Sequence, residues 1–171
     1  GVKMEIKYKQ QEKGQRSIAL GKASGVADCT AEEAAAWFFE YCSRERTSKG
    51  LEKGELARLE IREGTERTNE KRFATVKKFP FLITNREFVQ RLIWRRNNTD
   101  CVTVAVWSID KKVDYGGLGK LVRGATKAIF KITNTQEING FPQCKIELMQ
   151  HVDAGGHLPT KLMEKQTPKV L

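Results

Sequence analysis

No run of apolar residues in this chain approaches the roughly 18 needed to cross a bilayer as a helix, and the opening GVKMEIKYKQ has no apolar stretch of the kind a secretory signal carries. A soluble protein in a cytoplasmic location is the expectation. Thiols and imidazoles are scarce: there are four cysteines, Cys29, Cys42, Cys101 and Cys144, far apart and with no CxxC pair, and two histidines, His151 and His157. Structural zinc needs such ligands clustered, so no metal site is expected and the cysteines read as reduced, buried, small apolar residues. No Ser-His-Asp arrangement and no paired carboxylates are suggested by spacing, so no catalytic residues are assigned.

Acidic residues are also in deficit. Lys and Arg number 31 against 21 Asp and Glu, a net charge of +10 over 171 residues, which favours an anionic partner: nucleic acid, an acidic bilayer or an acidic protein. A nucleic-acid role would need a recognition helix with clustered basic residues or aromatics interleaved on a basic sheet face, and neither is present. Length and composition suit one globular domain spanning residues 1–171.

Much of the chain alternates with a period of two. Met4, Ile6 and Tyr8 alternate with lysines and a glutamate, and an extended pattern resumes over 17–26. Ala57, Leu59 and Ile61 alternate with Arg58, Glu60 and Arg62. Strands are further expected over 69–79, over the stretch from Phe88 to Trp94, and from Cys101 to Ile109 across the Asn97-Asn98-Thr99-Asp100 turn. Two more, over 122–133 and 143–152, are joined at Asn139-Gly140. Both faces of the Phe88–Trp94 segment are largely apolar, which places it centrally in its sheet. Short connections favour an antiparallel meander.

Helical signals are few. Thr30-Ala-Glu-Glu33 fits a capping box, opening a helix with Ala34, Trp37, Phe38 and Tyr41 at helical spacing that fades into Ser43-Arg-Glu-Arg46, with Gly50 and Gly54 loosening the segment after it. A terminal helix is expected after Pro159, with Leu158, Leu162 and Met163 as its apolar face. The glycine run Asp114-Tyr-Gly-Gly-Leu-Gly-Lys120 lacks the Lys-Ser/Thr ending of a phosphate loop and is read as a bend.

Taken in order, TAEEAAAWFFEYCSRER, FPFLITNREFVQRLIW, the VDYGG turn, Arg123 and VDAGGHLPTKLMEKQTPKVL resemble a START domain, the lipid-binding module of the steroidogenic-acute-regulatory-related family, most closely its divergent forms in unicellular eukaryotes. The resemblance covers residues 17–171. It implies an α+β helix-grip fold of the START/Bet v 1-like kind, a curved antiparallel sheet gripping a C-terminal helix, with one lipid in a tunnel between them. It further implies a non-enzymatic lipid-binding, lipid-transfer or lipid-sensing module without cofactor, with a sterol, phospholipid or ceramide as ligand; a monomer is expected, and the basic surface adds peripheral docking on anionic membranes. An enzyme on the same fold, cyclase-like or hydrolase-like, and a basic protein-interaction module are the alternatives. Many members carry a tunnel arginine two residues after the position matching Gln90. Leu92 stands there instead, with Arg91 on the opposite face and no evident acidic partner, so a less polar tunnel is expected. The family's terminal helix usually runs past the position of Leu171, so a short lid is expected too. Phe88, Gln90, Leu92 and Trp94 are the expected lining, with Phe130, Leu148 and His151 from the second hairpin and Leu158 and Leu162 from the lid. Gln150 is a further polar candidate. An ordinary filled core is the alternative for each.

Overall fold

The structure, a computed structural model, describes residues 1–8, 18–64, 67–80 and 82–156. The terminal helix and lid expected from residue 157 onward lie outside the described residues. The elements run β1 (Lys3–Tyr8), β2 (Ile18–Ala27), α1 (Ala31–Phe39), α2 (Arg44–Glu52), β3 (Glu55–Ile61), β4 (Glu70–Lys77), β5 (Arg86–Asn98), β6 (Cys101–Ser108), β7 (Val122–Arg123), β8 (Ala125–Ile138) and β9 (Phe141–Asp153). They build one curved sheet in the order β1-β2-β9-β8-β6-β5-β4-β3. Neighbours along this path are antiparallel; among the described residues β7 alone pairs in parallel, with the start of β5.

The long hairpins follow from local chemistry. Asn139 (φ 53°) and Gly140 (φ 78°) both take the left-handed conformation that a tight two-residue turn between right-twisted strands requires. β5 is central as its two apolar faces demand: Val89 on one and Leu92 on the other are both buried. The pairing of β2 with β9, from Ile18↔Asp153 to Ala27↔Cys144, joins residues more than a hundred positions apart and adds the β1–β2 hairpin to the sheet.

The capping box of α1 is present: the Glu33 amide donates to Thr30 Oγ1 (3.2 Å) and the Thr30 amide donates to Glu33 Oε2 (2.8 Å). The Asn134 side chain of β8 accepts from the Ala31 amide (2.6 Å), tying the helix start to the sheet. Of the expected stripe, Ala34 is buried and Phe38 and Tyr41 pack against the core, but Trp37 turns outward and the closest contacts are made by alanines. Ala31, Ala34 and Ala35 bury against Leu92, Val102, Val104 and Ile132, while Trp37 is 48% exposed. Small residues let the helix axis approach the strands, and the aromatics are displaced to its end.

Two local expectations are corrected. Residues 44–52 form α2, which has no apolar stripe to announce it; Ser43 caps it by accepting from the Arg46 amide (3.4 Å). Gly50, which reads as a helix-loosening residue, is a close-packing one: a Cβ there would stand 2.3 Å from the Glu55 carboxylate. In the middle of β3 the expected sidedness is reversed at Arg58 and Leu59, while Ala57 and Ile61 are half-buried and Glu60 exposed. Leu59 is 39% exposed, and the Arg58 side chain is the buried one, at 7%. A register irregularity between Glu55 and Ala57 accompanies this on an edge strand.

The motifs that carry the resemblance meet in space. Arg86 Nε donates to the Ala154 carbonyl (3.1 Å), Nη2 to that of Gly155 (3.3 Å) and Nη1 to that of Thr84, and the guanidinium lies over Phe79. Gly155 is obligatory: its φ is +70°, and a Cβ would sit 2.3 Å from the Arg123 carbonyl. This latch joins the starts of β5 and β7 to the end of β9. Gly116, Gly117 and Gly119 all have positive φ in the connection before β7, as bending glycines should. The four cysteines are free, and burial pushes the thiols of Cys42 and Cys144 up to about 11 and about 12. No helix of the described residues is long and apolar enough to cross a membrane.

Candidate functional site

Side chains opposite one another in neighbouring strands share a face, so the register aligns the concave surface in rows. One row runs Arg58, Thr75 and Phe88; another runs Phe73, Gln90 and Ser108; and Leu148 faces Phe130, which faces Val104. α1 lies across part of this surface, and α2 packs against β3. Between them remains a cavity of about 300 Å³. Its floor is apolar, made by Phe73, Phe88, Leu92, Val106, Ala128, Phe130 and Leu148. Thr75, Gln90, Thr126 and Gln150 place polar groups among them.

Its other wall is charged. Trp37 and Tyr41 at the end of α1 and Arg46, Lys49, Gly50 and Lys53 from one side of α2 meet Glu55 and Arg58 of β3 and Lys77 of β4. Arg58 grips the Glu55 carboxylate with two nitrogens, Nε to Oε2 at 2.7 Å and Nη2 to Oε1 at 2.8 Å, and donates from Nη1 to the Tyr41 carbonyl at 2.8 Å. Lys77 Nζ completes the cluster on Glu55. Arg46 lies 4.0 Å from the Trp37 ring centre and donates from Nη1 to the Trp37 and Phe38 carbonyls at 2.7 and 3.1 Å. Those carbonyls belong to the last turn of α1, where a cation meets the negative end of the helix dipole. Tyr41 stacks on Phe73 at 4.1 Å between centroids, linking the charged wall to the floor.

Titration behaviour follows from this packing. Burial alone would raise Glu55, but the Arg58 and Lys77 contacts outweigh it and hold its carboxyl below the ordinary value. Burial pushes Tyr41 up to about 12, against the neighbouring Arg58 charge. Desolvation draws the Arg46 guanidinium below its ordinary value. The shifts of Glu55 and Tyr41 both lead away from neutral pH, so Glu55 stays ionised and engaged while Tyr41 keeps its proton. Neither is poised as a general acid or base. Among the described residues no group of three His, Cys, Asp or Glu side chains could hold a metal ion.

Of the residues expected to line a tunnel, the structure brings Phe88, Gln90, Leu92, Phe130 and Leu148 into the cavity wall, and Gln150 with them. Trp94 shares their sheet face but lies beyond α1, in a separate hollow with Ala35, Ala36, Phe39 and Val102. His151 falls on the opposite face, in register between Leu20 and Lys127. Leu158 and Leu162 lie outside the described residues. The charged wall is the part that periodicity missed. Arg46, Lys49 and Lys53 sit at helical spacing in a segment with no apolar residue to mark its inner side, and Arg58 reads as the wet face of its strand. The floor around Leu92 is apolar, and the charges enter from α2 and β3 instead. Arg91 does find an acidic partner, Glu70 at 2.5 Å, on the other face.

No protein-family model matches the sequence, and no curated protein does. Solved structures do. The chain is similar to the human StarD13 (DLC2) lipid transfer and protein localization domain, with a TM-score of 0.64 at 15% identity over 95% of this chain and 76% of that one. It is similar to human STARD10, with 0.62 at 17% over 96% and 69%. A STAR-related lipid transfer protein fragment from Xanthomonas axonopodis gives 0.61 at 11% over 95% and 89%. The fold is START-like.

Proposed function

We propose that this START-like chain is a non-enzymatic lipid-binding domain that holds one hydrophobic ligand in the cavity between the concave sheet, α1 and α2. The observation that carries this reading is the cavity: an apolar floor with a few polar groups, under a helix that packs through alanines and leaves a space beside it that no described residue fills. At about 300 Å³ it stands at the lower end of the roughly 300–1,000 Å³ usual for small-molecule sites. The similar structures named for lipid transfer support the same reading. Burial of an apolar chain contributes roughly 25 cal/mol per Å², so affinity comes from the floor and orientation from the polar groups around it. The net charge of +10 gives the domain a salt-sensitive attraction to anionic bilayers, from which such a ligand would be taken up or delivered.

The test is native mass spectrometry of the purified protein, with identification of any small molecule released on mild denaturation. A stoichiometric lipid is the expected result. A protein that is empty and takes up no sterol, phospholipid, ceramide or fatty acid from vesicles would overturn the reading.

A further inference from the structure

Among the described residues the cavity wall carries five cations, Arg46, Lys49, Lys53, Arg58 and Lys77, against one anion, Glu55. Glu55 is already shared by Arg58 and Lys77. Lys49 pairs outward with exposed Glu45 at 2.5 Å. Among the described residues, neither Arg46 nor Lys53 has a carboxylate in an ion pair. Arg46 is the more telling of the two. Its Nη1 is committed to the Trp37 and Phe38 carbonyls, and its plane is steadied by Trp37 at 4.0 Å and Tyr41 at 4.7 Å. Nη2 and Nε have no acceptor among the described residues. A half-buried guanidinium fixed in orientation, with donors to spare and no counter-charge among the described residues, is a preformed anion receptor, because its ordering has been settled before any ligand arrives.

The arrangement on α2 points the same way. Arg46, Lys49, Gly50 and Lys53 recur at helical spacing on the side that lines the cavity. Gly50 lets that side approach the Glu55–Arg58 pair. A helix placed only to cover an apolar space would put leucines there. Instead the wall opposite the apolar floor is cationic, so a molecule filling both is apolar at one end and negative at the other. The volume of about 300 Å³ suits a single chain better than two.

We infer that the ligand of this cavity is a single-chain amphiphile with an anionic headgroup, carboxylate or phosphate, seated against Arg46 and Lys53 with its chain along Phe88, Leu92, Phe130 and Leu148. This rests on the lipid-binding reading above and adds the headgroup.

The test uses delipidated protein and four probes of equal chain length: palmitate, palmitoyl lysophosphatidate, palmitoyl lysophosphatidylcholine and hexadecanol, with bound fractions read by native mass spectrometry. Palmitate or lysophosphatidate, or both, is expected to bind at least about tenfold more tightly than the zwitterionic and neutral probes, as a charge-assisted contact provides; whichever of the two does so assigns the headgroup. The paired substitution Arg46→Gln with Lys53→Gln is expected to reduce the ratio of anionic to neutral affinity by a similar factor, with its thermal unfolding midpoint recorded to show that it folds. A second variant, Lys49→Gln, reads the same ratio without disturbing the Arg46 packing and is expected to lower it less. Equal binding of all four probes, or a ratio unmoved in the folded double variant, overturns the anionic headgroup and leaves lipid binding standing. Uptake of none of the probes, or of any other lipid, overturns the lipid-binding reading itself.

Discussion

Replacing Glu55 by alanine removes the single anion that the described residues bring to the cavity wall and leaves Arg58 and Lys77 facing each other without it. The Glu55 and Arg58 side chains are 1% and 7% exposed, so Arg58 cannot turn to bulk water without leaving its place. Breaking a buried pair from one side costs about 3–5 kcal/mol. Arg58 keeps its 2.8 Å bond to the Tyr41 carbonyl, and the neighbouring cavity admits some hydration, which argues for the lower end, about 3 kcal/mol. That is a sizeable share of the roughly 5–15 kcal/mol of a typical domain. Urea unfolding followed by tryptophan fluorescence would read it as a lowered midpoint at unchanged slope. The double variant Glu55→Leu with Arg58→Met, apolar on both sides, should be markedly less destabilised than Glu55→Ala alone. The pH dependence has a definite sign. Glu55 titrates below its ordinary 4.5 in the folded protein, so its contribution is complete above that value and disappears as pH falls through the lower folded pKa. Glu55→Gln should therefore flatten the fall in stability below pH 4.5. A cost under about 1 kcal/mol for Glu55→Ala, the usual worth of an exposed pair, together with an unchanged acid profile, would refute the buried cluster.

Two further perturbations probe the cavity and the helix above it. A Cβ at Gly124 would stand 2.3 Å from Phe88 Cε1, well inside the roughly 3.5–4.0 Å of carbon contacts, so Gly124→Ala should drive the ring toward the cavity, lower lipid occupancy in native mass spectra and cost about 1–3 kcal/mol; undiminished occupancy would show that Phe88 does not bound the ligand space. Thr30→Ala removes the N-cap of α1 and should cost about 0.5–2 kcal/mol by urea unfolding, with hydrogen exchange accelerated first at the amides of Ala31 to Glu33.

The strands were legible because their alternation is local, and the capping box because four consecutive residues define it. α2 was not, since RERTSKGLE has neither stripe nor breaker, and its helix is held by Ser43 and by packing on β3. The stripe of α1 held at Ala34, Phe38 and Tyr41 and misled at Trp37 for a related reason: alanines give no strong periodic signal, yet Ala31, Ala34 and Ala35 allow the closest approach and take the buried side. Five of the expected lining residues reach the cavity because strand parity put them on one face. Parity could not say where α1 would cross that face, and so Trp94 was carried along with them.

Local chemistry along the chain accounts for the strands, their turns, the start of α1 and the inward side of the central hairpins, because each depends on contacts within a few residues. The pairing of β2 with β9, the inward turn of Arg58 at an edge strand, and the placing of Arg46 and Lys53 at the wall of an otherwise apolar space arise only when the chain is folded. Those outcomes depend on which surfaces remain uncovered once the sheet has curved. A charged residue's neighbours in space, unlike the period of its strand, are fixed only by the whole fold.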